Sequence, residues 1–288
     1  MKIGFIGLGI MGEAMCANIV KKHGEPVFVN DLDPSRVEKL VSLGASACAC
    51  NAEVAQKADL IITMVPKSEH LRAVYEEILP SFCPGKIGVD MSTVDPDVSI
   101  EIANAVKAKG GQFADAPVVK SRPAAESGTL GIYVGCDEAL FETIAPVLFY
   151  MGVSVQRMGE NGSGLVMKIC HNALVAEIQN GVNETLTLAG KFGIDPERFA
   201  AAIAAGGGQN FYLDGQWKNL RDRNWSTAFS LQNMHKDLGI CRRLAEETGV
   251  RMPGMLNAKS VYDKGMEAGL GPEDFRATFK VVSDELDA

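Results

Sequence analysis

At 288 residues the chain exceeds most single domains and predicts two of comparable size. With 47% hydrophobic and 22% charged residues it has the composition of an ordinary globular protein, which argues against a disordered or fibrous chain. A net charge of −8 without a dense Lys/Arg block argues against nucleic acid or a membrane surface as the main partner, so a small anionic ligand must be met by local cations.

The chain enters an apolar, strand-like run at residues 3–6 without the three-part layout of a signal peptide, and no apolar run reaches transmembrane length. A cytoplasmic protein is expected. Gly7-Leu8-Gly9-Ile10-Met11-Gly12 follows this strand and opens a helical pattern, and the next strand, residues 27–30, ends in Asn30-Asp31. Strand, glycines, helix and an acid about 20 residues on form the dinucleotide fingerprint in its required context. The first glycine turns the chain, the second admits the pyrophosphate to the backbone, and the third lets helix and strand pack. Asp31 is placed to accept ribose hydroxyls and repel a 2′-phosphate, which predicts NAD rather than NADP; Arg36 lies close enough in sequence to assist a phosphate, although an exposed arginine in a helical first turn is the commoner reading.

Further strands are predicted at residues 60–64, 87–90 and 113–115, with helical patterns between several of them, such as 98–109. Repeated βα units predict an α/β fold with a doubly wound parallel sheet. Ligands gather outside the carboxyl ends of such strands, which puts Val65, Pro66 and Thr93 at the ribose and nicotinamide end. A strand at 132–134, a helix near 138–150 and a strand near 153–156 close this domain. Beyond a glycine-rich turn at 159–164 only helical patterns follow, at 165–192, 196–205, 231–248, 253–268 and 272–281. The expected division is a Rossmann domain over 1–162 and an all-α domain over 163–288, joined by a long helix. Seven scattered cysteines predict no disulfide framework, and Cys48-Ala49-Cys50 lacks further ligands at metal-binding spacing, so no metal is expected.

Four blocks then carry a resemblance. They are Gly4 to Gly12, Asp115-Ala116-Pro117-Val118 running on to Gly128-Thr129-Leu130, Gly162-Ser163-Gly164 with Lys168 and Asn172, and His235-Lys236-Asp237-Leu238-Gly239. In this order the sequence resembles the β-hydroxyacid dehydrogenase family of 3-hydroxyisobutyrate dehydrogenases and semialdehyde reductases. The resemblance implies Lys168 as the catalytic lysine, Asn172 as a catalytic and substrate-holding partner, and Lys236 as a contact to both cofactor and substrate. It also implies a helical domain that holds substrate and forms the contact of a homodimer or homotetramer. The residue chemistry agrees. Lys168 and Asn172 lie one i,i+4 step apart and share a helix face. A lysine with an ordinary pKa of about 10.4 acts as a base near neutrality only where burial or nearby positive charge, such as Lys120, Lys236 or an oxidised nicotinamide, destabilises its ammonium form.

One block departs from the family. Where the pattern reads Ser-Gly-Gly after Asp-Ala-Pro-Val, this chain has Val119-Lys120-Ser121, similar in its cation and hydroxyl to sulfolactaldehyde reductase. Val119, Lys120 and Ser121 are expected, with Asn172 and Lys236, to hold the substrate, Lys120 taking an anionic head group. The predicted activity is NAD-dependent interconversion of a small 3-hydroxy acid, or a sulfonate analogue, and its semialdehyde. A non-catalytic dinucleotide-binding scaffold would have no use for Lys168, Asn172 and Lys236 together, and imine reductase-like relatives typically lack the lysine. His171 and the loop at 206–208 could border the pocket or serve packing and linkage only.

Overall fold

The computed structural model describes residues 1–286 and has two compact units, Met1–Lys168 and Ile169–Ala288. The first unit runs β1 (Ile3–Ile6), α1 (Ile10–His23), β2 (Val27–Asn30), α2 (Pro34–Ser42), β3 (Ser46–Ala47), α3 (Asn51–Lys57), β4 (Leu60–Thr63), α4 (Ser68–Ile78), β5 (Ile87–Asp90), α5 (Pro96–Ala108), β6 (Gln112–Asp115), β7 (Val118–Val119), α6 (Arg122–Ser127), β8 (Leu130–Gly135), α7 (Glu138–Leu148) and β9 (Gly152–Gly159). The sheet order is β3-β2-β1-β4-β5-β6-β8-β7, with β9 also paired to β8. From β3 to β6 all pairs are parallel, whereas β8 runs antiparallel to β6 and β7.

Side-chain alternation shows why helices cover both faces. Ile3, Phe5, Leu60 and Ile62 belong to one apolar cluster with Met15 and Ile19 of α1, while Ile6 and Ile61 belong to another with Leu71 and Ile78 of α4. A strand buried on both sides is continuously apolar, as β1 is and as β4 is up to its last residue, Thr63. Because every βα crossover follows a parallel strand, the loops after β1, β2, β4 and β5 collect along one sheet edge.

In the second unit α8 (Ser163–Lys191), which starts in the first, is followed by α9 (Pro196–Ala204), α10 (Phe211–Arg221), α11 (Leu231–Thr248), α12 (Pro253–Glu267) and α13 (Thr278–Ser283). Ile169, Ala173 and Ala176 of α8 pack with Leu231, Met234, Leu238, Met255 and Tyr262. Among the described residues no helix is long and apolar enough to cross a membrane.

The helix expected over 272–281 is not formed as one element. Asp274 is extended, its Oδ2 accepts the Ala228 and Phe229 N–H groups at 2.9 and 3.1 Å, and its Oδ1 accepts from Arg276 Nε at 2.6 Å. A buried carboxylate serving four donors, the Arg276 N–H included, outweighs local helix propensity here, and α13 starts only at Thr278. The short β3, β7, α6 and α10 were also absent from the sequence expectation, and β4 stops one residue short, at Thr63.

Candidate active site

The turn between β1 and α1 is shaped by glycines. Gly7 has φ 93° and its N–H donates to Asn30 O at 3.1 Å. A Cβ on Gly12 would lie 2.0 Å from Gly7 O, so only glycine lets the helix start this close to the strand. Gly9 is the N-cap of α1, no side chain among the described residues caps it, and the neighbouring Ile10 is 58% exposed. The first-turn N–H groups are thus left for an external acceptor, where the helix dipole favours an anion. Met11 is half-buried against the core below.

At the end of β2, Asn30 Nδ2 donates to Cys48 O at 2.9 Å, which holds the strand end. Asp31 Oδ2 accepts the Leu8 N–H at 2.5 Å and Oδ1 accepts the Asp33 N–H at 2.8 Å. The carboxylate is therefore locked beside the glycine turn. Arg36 Nε lies 3.3 Å from Asp33 Oδ2, and a Cβ on Gly9 would be 3.4 Å from Arg36 Nη1, so the guanidinium also borders this turn.

Val65 is held by a polar network that sequence reasoning did not identify, with Pro66 next to it in the chain and Thr93 next to its Ser92. Ser92 Oγ accepts the Val65 N–H at 2.8 Å and donates to Asp90 Oδ1 at 2.7 Å, which also accepts from Thr63 Oγ1 at 2.7 Å. All three side chains are fully buried, and burial chiefly pushes the Asp90 carboxyl up to about 6. Hydroxyl residues and an acid at the ends of adjacent strands were the available signal. Pro66 is exposed and Val65 and Thr93 are half-buried, and Val65 sits against Gly7.

The second and third sequence blocks meet at the start of α8. Asp115, at the end of β6 and fully buried, accepts the N–H groups of Gly162 at 2.6 Å and Leu165 at 2.9 Å. A Cβ on Gly164 would fall 2.5 Å from Tyr133 O and 2.8 Å from Asp115 Oδ2, so this glycine is required by contact with β8 and the carboxylate. Burial raises the Asp115 carboxyl to about 6 against these hydrogen bonds, which lower it. One turn further along α8 comes Lys168, 7% exposed.

Asn172 is the next residue on that helix stripe. In the second unit its Nδ2 donates to the buried Asp237 Oδ2 at 2.6 Å, while Lys236 Nζ is 3.2 Å from Asp237 Oδ1. Asp237 thereby links Asn172 and Lys236. His171 Nδ1 is 3.2 Å from Asn172 Oδ1.

In the loop after β7, the Val119 side chain is buried and directed at Gly131, where a Cβ would meet it at 2.5 Å, so Val119 can offer a ligand only its backbone. Lys120 is exposed, has φ 76°, and donates from Nζ to Thr129 O at 2.9 Å. Ser121 is the N-cap of α6, yet its hydroxyl makes no capping hydrogen bond among the described residues. The loop at 206–208 leads into α10, whose N-cap is Asn210.

Comparison with known proteins agrees with this arrangement. A family profile described as the NAD binding domain of 6-phosphogluconate dehydrogenase matches residues 2–159, and one described as NAD-binding of NADP-dependent 3-hydroxyisobutyrate dehydrogenase matches 162–282. The chain is 35% identical to 2-(hydroxymethyl)glutarate dehydrogenase of Eubacterium barkeri, over 98% of this chain and 94% of that protein. It is 34% identical to glyoxylate/succinic semialdehyde reductase 1 of Arabidopsis thaliana, over 98% of each. Among solved structures, 3-hydroxyisobutyrate dehydrogenase of Mycobacterium tuberculosis with L-serine is 28% identical with a TM-score of 0.89, covering 98% of both chains.

Proposed function

The chain belongs to the β-hydroxyacid dehydrogenase family and is an NAD(P)-dependent oxidoreductase, and from this premise we propose that it interconverts a small 3-hydroxy acid, or a sulfonate analogue, with the corresponding semialdehyde. The observation that carries this reading is the start of α8, where Asp115 and the Gly162–Gly164 turn fix a helix whose next turn holds a buried lysine.

The uncapped start of α1 and the glycine cradle fit a dinucleotide pyrophosphate, and Asp31 fits a ribose with free hydroxyls, which is the basis for assigning NAD over NADP. Gly7, Gly9, Ile10, Met11, Gly12, Asn30, Val65, Pro66, Thr93 and Lys236 complete the assigned cofactor contacts. Bound nicotinamide supplies the hydride acceptor or donor. Lys168 takes the substrate hydroxyl proton in oxidation and returns a proton to the carbonyl oxygen in reduction. Asn172 and Lys236, joined through Asp237, are assigned to the substrate's polar groups.

Lys120 is assigned to the anionic head group. An ammonium has three N–H donors and Thr129 O takes one, and the Ser121 hydroxyl is not spent on capping. The segment 1–162 is the NAD-binding domain, from which Lys120 and Ser121 also reach the substrate, and 163–288 provides the other substrate contacts, the Lys236 contact to the cofactor and a homodimeric or homotetrameric contact, in a cytoplasmic protein. No observation on the molecule favours a non-catalytic scaffold or imine reduction.

The test is a panel of 3-hydroxy acids and semialdehydes, carboxylated and sulfonated, assayed with NAD(H) and NADP(H) on the unmodified protein and on Lys120→Ala. Turnover of at least one acid–semialdehyde pair with NAD(H) preferred is expected. Lys120→Ala should lower catalytic efficiency about 10–150-fold, mainly through KM, for the acidic substrate and far less for an uncharged aldehyde. Tight cofactor binding with no turnover across the panel overturns the reading.

A further inference from the structure

Asn18 lies on α1, beyond the turn that meets the pyrophosphate, and no step above uses it. It is 7% exposed, and its Nδ2 donates to Ala125 O at 2.8 Å and Glu126 O at 3.3 Å, as well as to Ala14 O of its own helix at 3.1 Å. Ala125 and Glu126 are in the last turn of α6, where backbone carbonyls lack the donor one turn on that a longer helix supplies, and Ala125 O also accepts the Gly128 N–H at 3.3 Å. Six residues cannot sustain a helix alone, so α6 depends on what it is fastened to. Its far end is fastened in two ways. Ala125 is buried in the same apolar cluster as Met15, Cys16 and Ile19 of α1, and Gly128, which ends α6 at φ 67°, would with a Cβ crowd Asn18 Oδ1 at 3.1 Å and Lys22 Nζ at 2.9 Å. The near end of α6 carries Lys120 and Ser121.

We propose that Asn18 is a positioning residue for the substrate loop: by holding the C-terminal carbonyls of α6 it fixes Lys120 and Ser121 relative to the cofactor-binding start of α1. This rests on the assignment of Lys120 and Ser121 to the substrate. One helix then serves both ligands, the pyrophosphate at its N-terminus and the substrate loop from its side. Losing the two amide donors leaves α6 frayed, which weakens head-group binding without touching the glycine turn.

The experiment combines kinetics, NADH titration by fluorescence and amide hydrogen exchange on Asn18→Ala, Asn18→Leu, Lys120→Ala and the Asn18→Ala/Lys120→Ala double variant. Both Asn18 variants should raise KM for the acidic substrate about tenfold, change the NADH Kd less than twofold, and speed exchange at residues 124–129 relative to α1. The double variant should raise KM by less than the product of the two single effects, since both act in part on the Lys120 contact. Restoration by leucine, which fills the volume without donating, or additive effects in the double variant overturn the proposal. An unchanged KM in the Asn18 variants alone overturns it while leaving the Lys120 assignment intact, whereas an unchanged KM in Lys120→Ala as well removes both. The unmodified protein provides a check that needs no variant to fold. The bonded amides of Ala124, Ala125, Gly128 and Thr129 should be as protected as those in the middle of α1, and exchange at loop rates overturns the proposal.

Discussion

Helices α1 and α8 both begin at glycine-bearing turns at the end of the same sheet, and their N-termini are finished in opposite ways. At α1 the cap is Gly9, with no side-chain partner among the described residues and an exposed Ile10 beside it. At α8 a buried carboxylate from β6 takes the N–H groups of Gly162 and Leu165. Four unpaired N–H groups and a positive partial charge are common to every helix start. What distinguishes a ligand site from a structural joint is whether the protein brings its own anion. At α1 the uncapped N–H groups suit a pyrophosphate; at α8 Asp115 accepts them, and what the helix delivers is the position of Lys168.

The sharpest break in this comparison comes from what α8 carries. Lys168→Ala should lower turnover about 10²–10⁴-fold, the usual share of a positioned acid or base, with NADH affinity nearly unchanged. Substantial turnover retained where chemistry limits the rate would hand the proton to another group.

Breaking the two starts themselves should give opposite signatures. Gly12→Ala, whose methyl meets Gly7 O, should weaken NADH binding at least about tenfold. Asp115→Ala should cost about 2–3 kcal/mol of stability and several degrees in Tm, with a fall in kcat and little change in NADH Kd. Matching losses of cofactor affinity in both variants would mean that the two starts are not independent.

A smaller effect follows from pH. Asp90 and Asp115 pair across β5 and β6, and burial is the largest cause lifting each carboxyl to about 6 from an ordinary 3.8. A raised folded pKa favours the protonated native state. Its contribution is complete below about 3.8 and is lost as pH rises through about 6. Asp90→Asn cannot ionise, so its Tm relative to the unmodified protein should become more favourable between pH 4 and pH 6.5. A difference that is flat with pH, or moves the other way, would contradict the burial argument.

The glycine turn, Asp31 and the parallel strands were legible because each is a local pattern: a glycine at a fixed offset, an acid at a strand end, a short continuous apolar run. The family blocks located Lys168 and Asn172, but nothing local announced that Asp115 would cap the helix 50 residues on, or that Asp237 would join Asn172 to Lys236. Contacts of that kind depend on tertiary placement. Val119 illustrates the same limit, since only the fold reveals that its side chain is buried and directed at Gly131. The segment 272–281 misled because proline followed by acidic and apolar residues imitates a helix start, and only the fold reveals the donors around Asp274.

Lys120 stands in left-handed backbone, at a position where the family pattern carries glycine. For a residue with a Cβ that conformation is disfavoured by about 1–2 kcal/mol, so the lysine is kept against the preference of its own peptide unit. Stability and specificity are then opposed at a single residue. Lys120→Gly should raise Tm by a few degrees, while Lys120→Ala, which keeps the Cβ, should not; both should lose efficiency toward the acidic substrate. Equal melting temperatures for the two variants would mean that the loop relaxes around the strain. With the expected difference, the substitution that makes this loop most robust is also one that blunts its discrimination, a stability–activity trade-off confined to one backbone torsion.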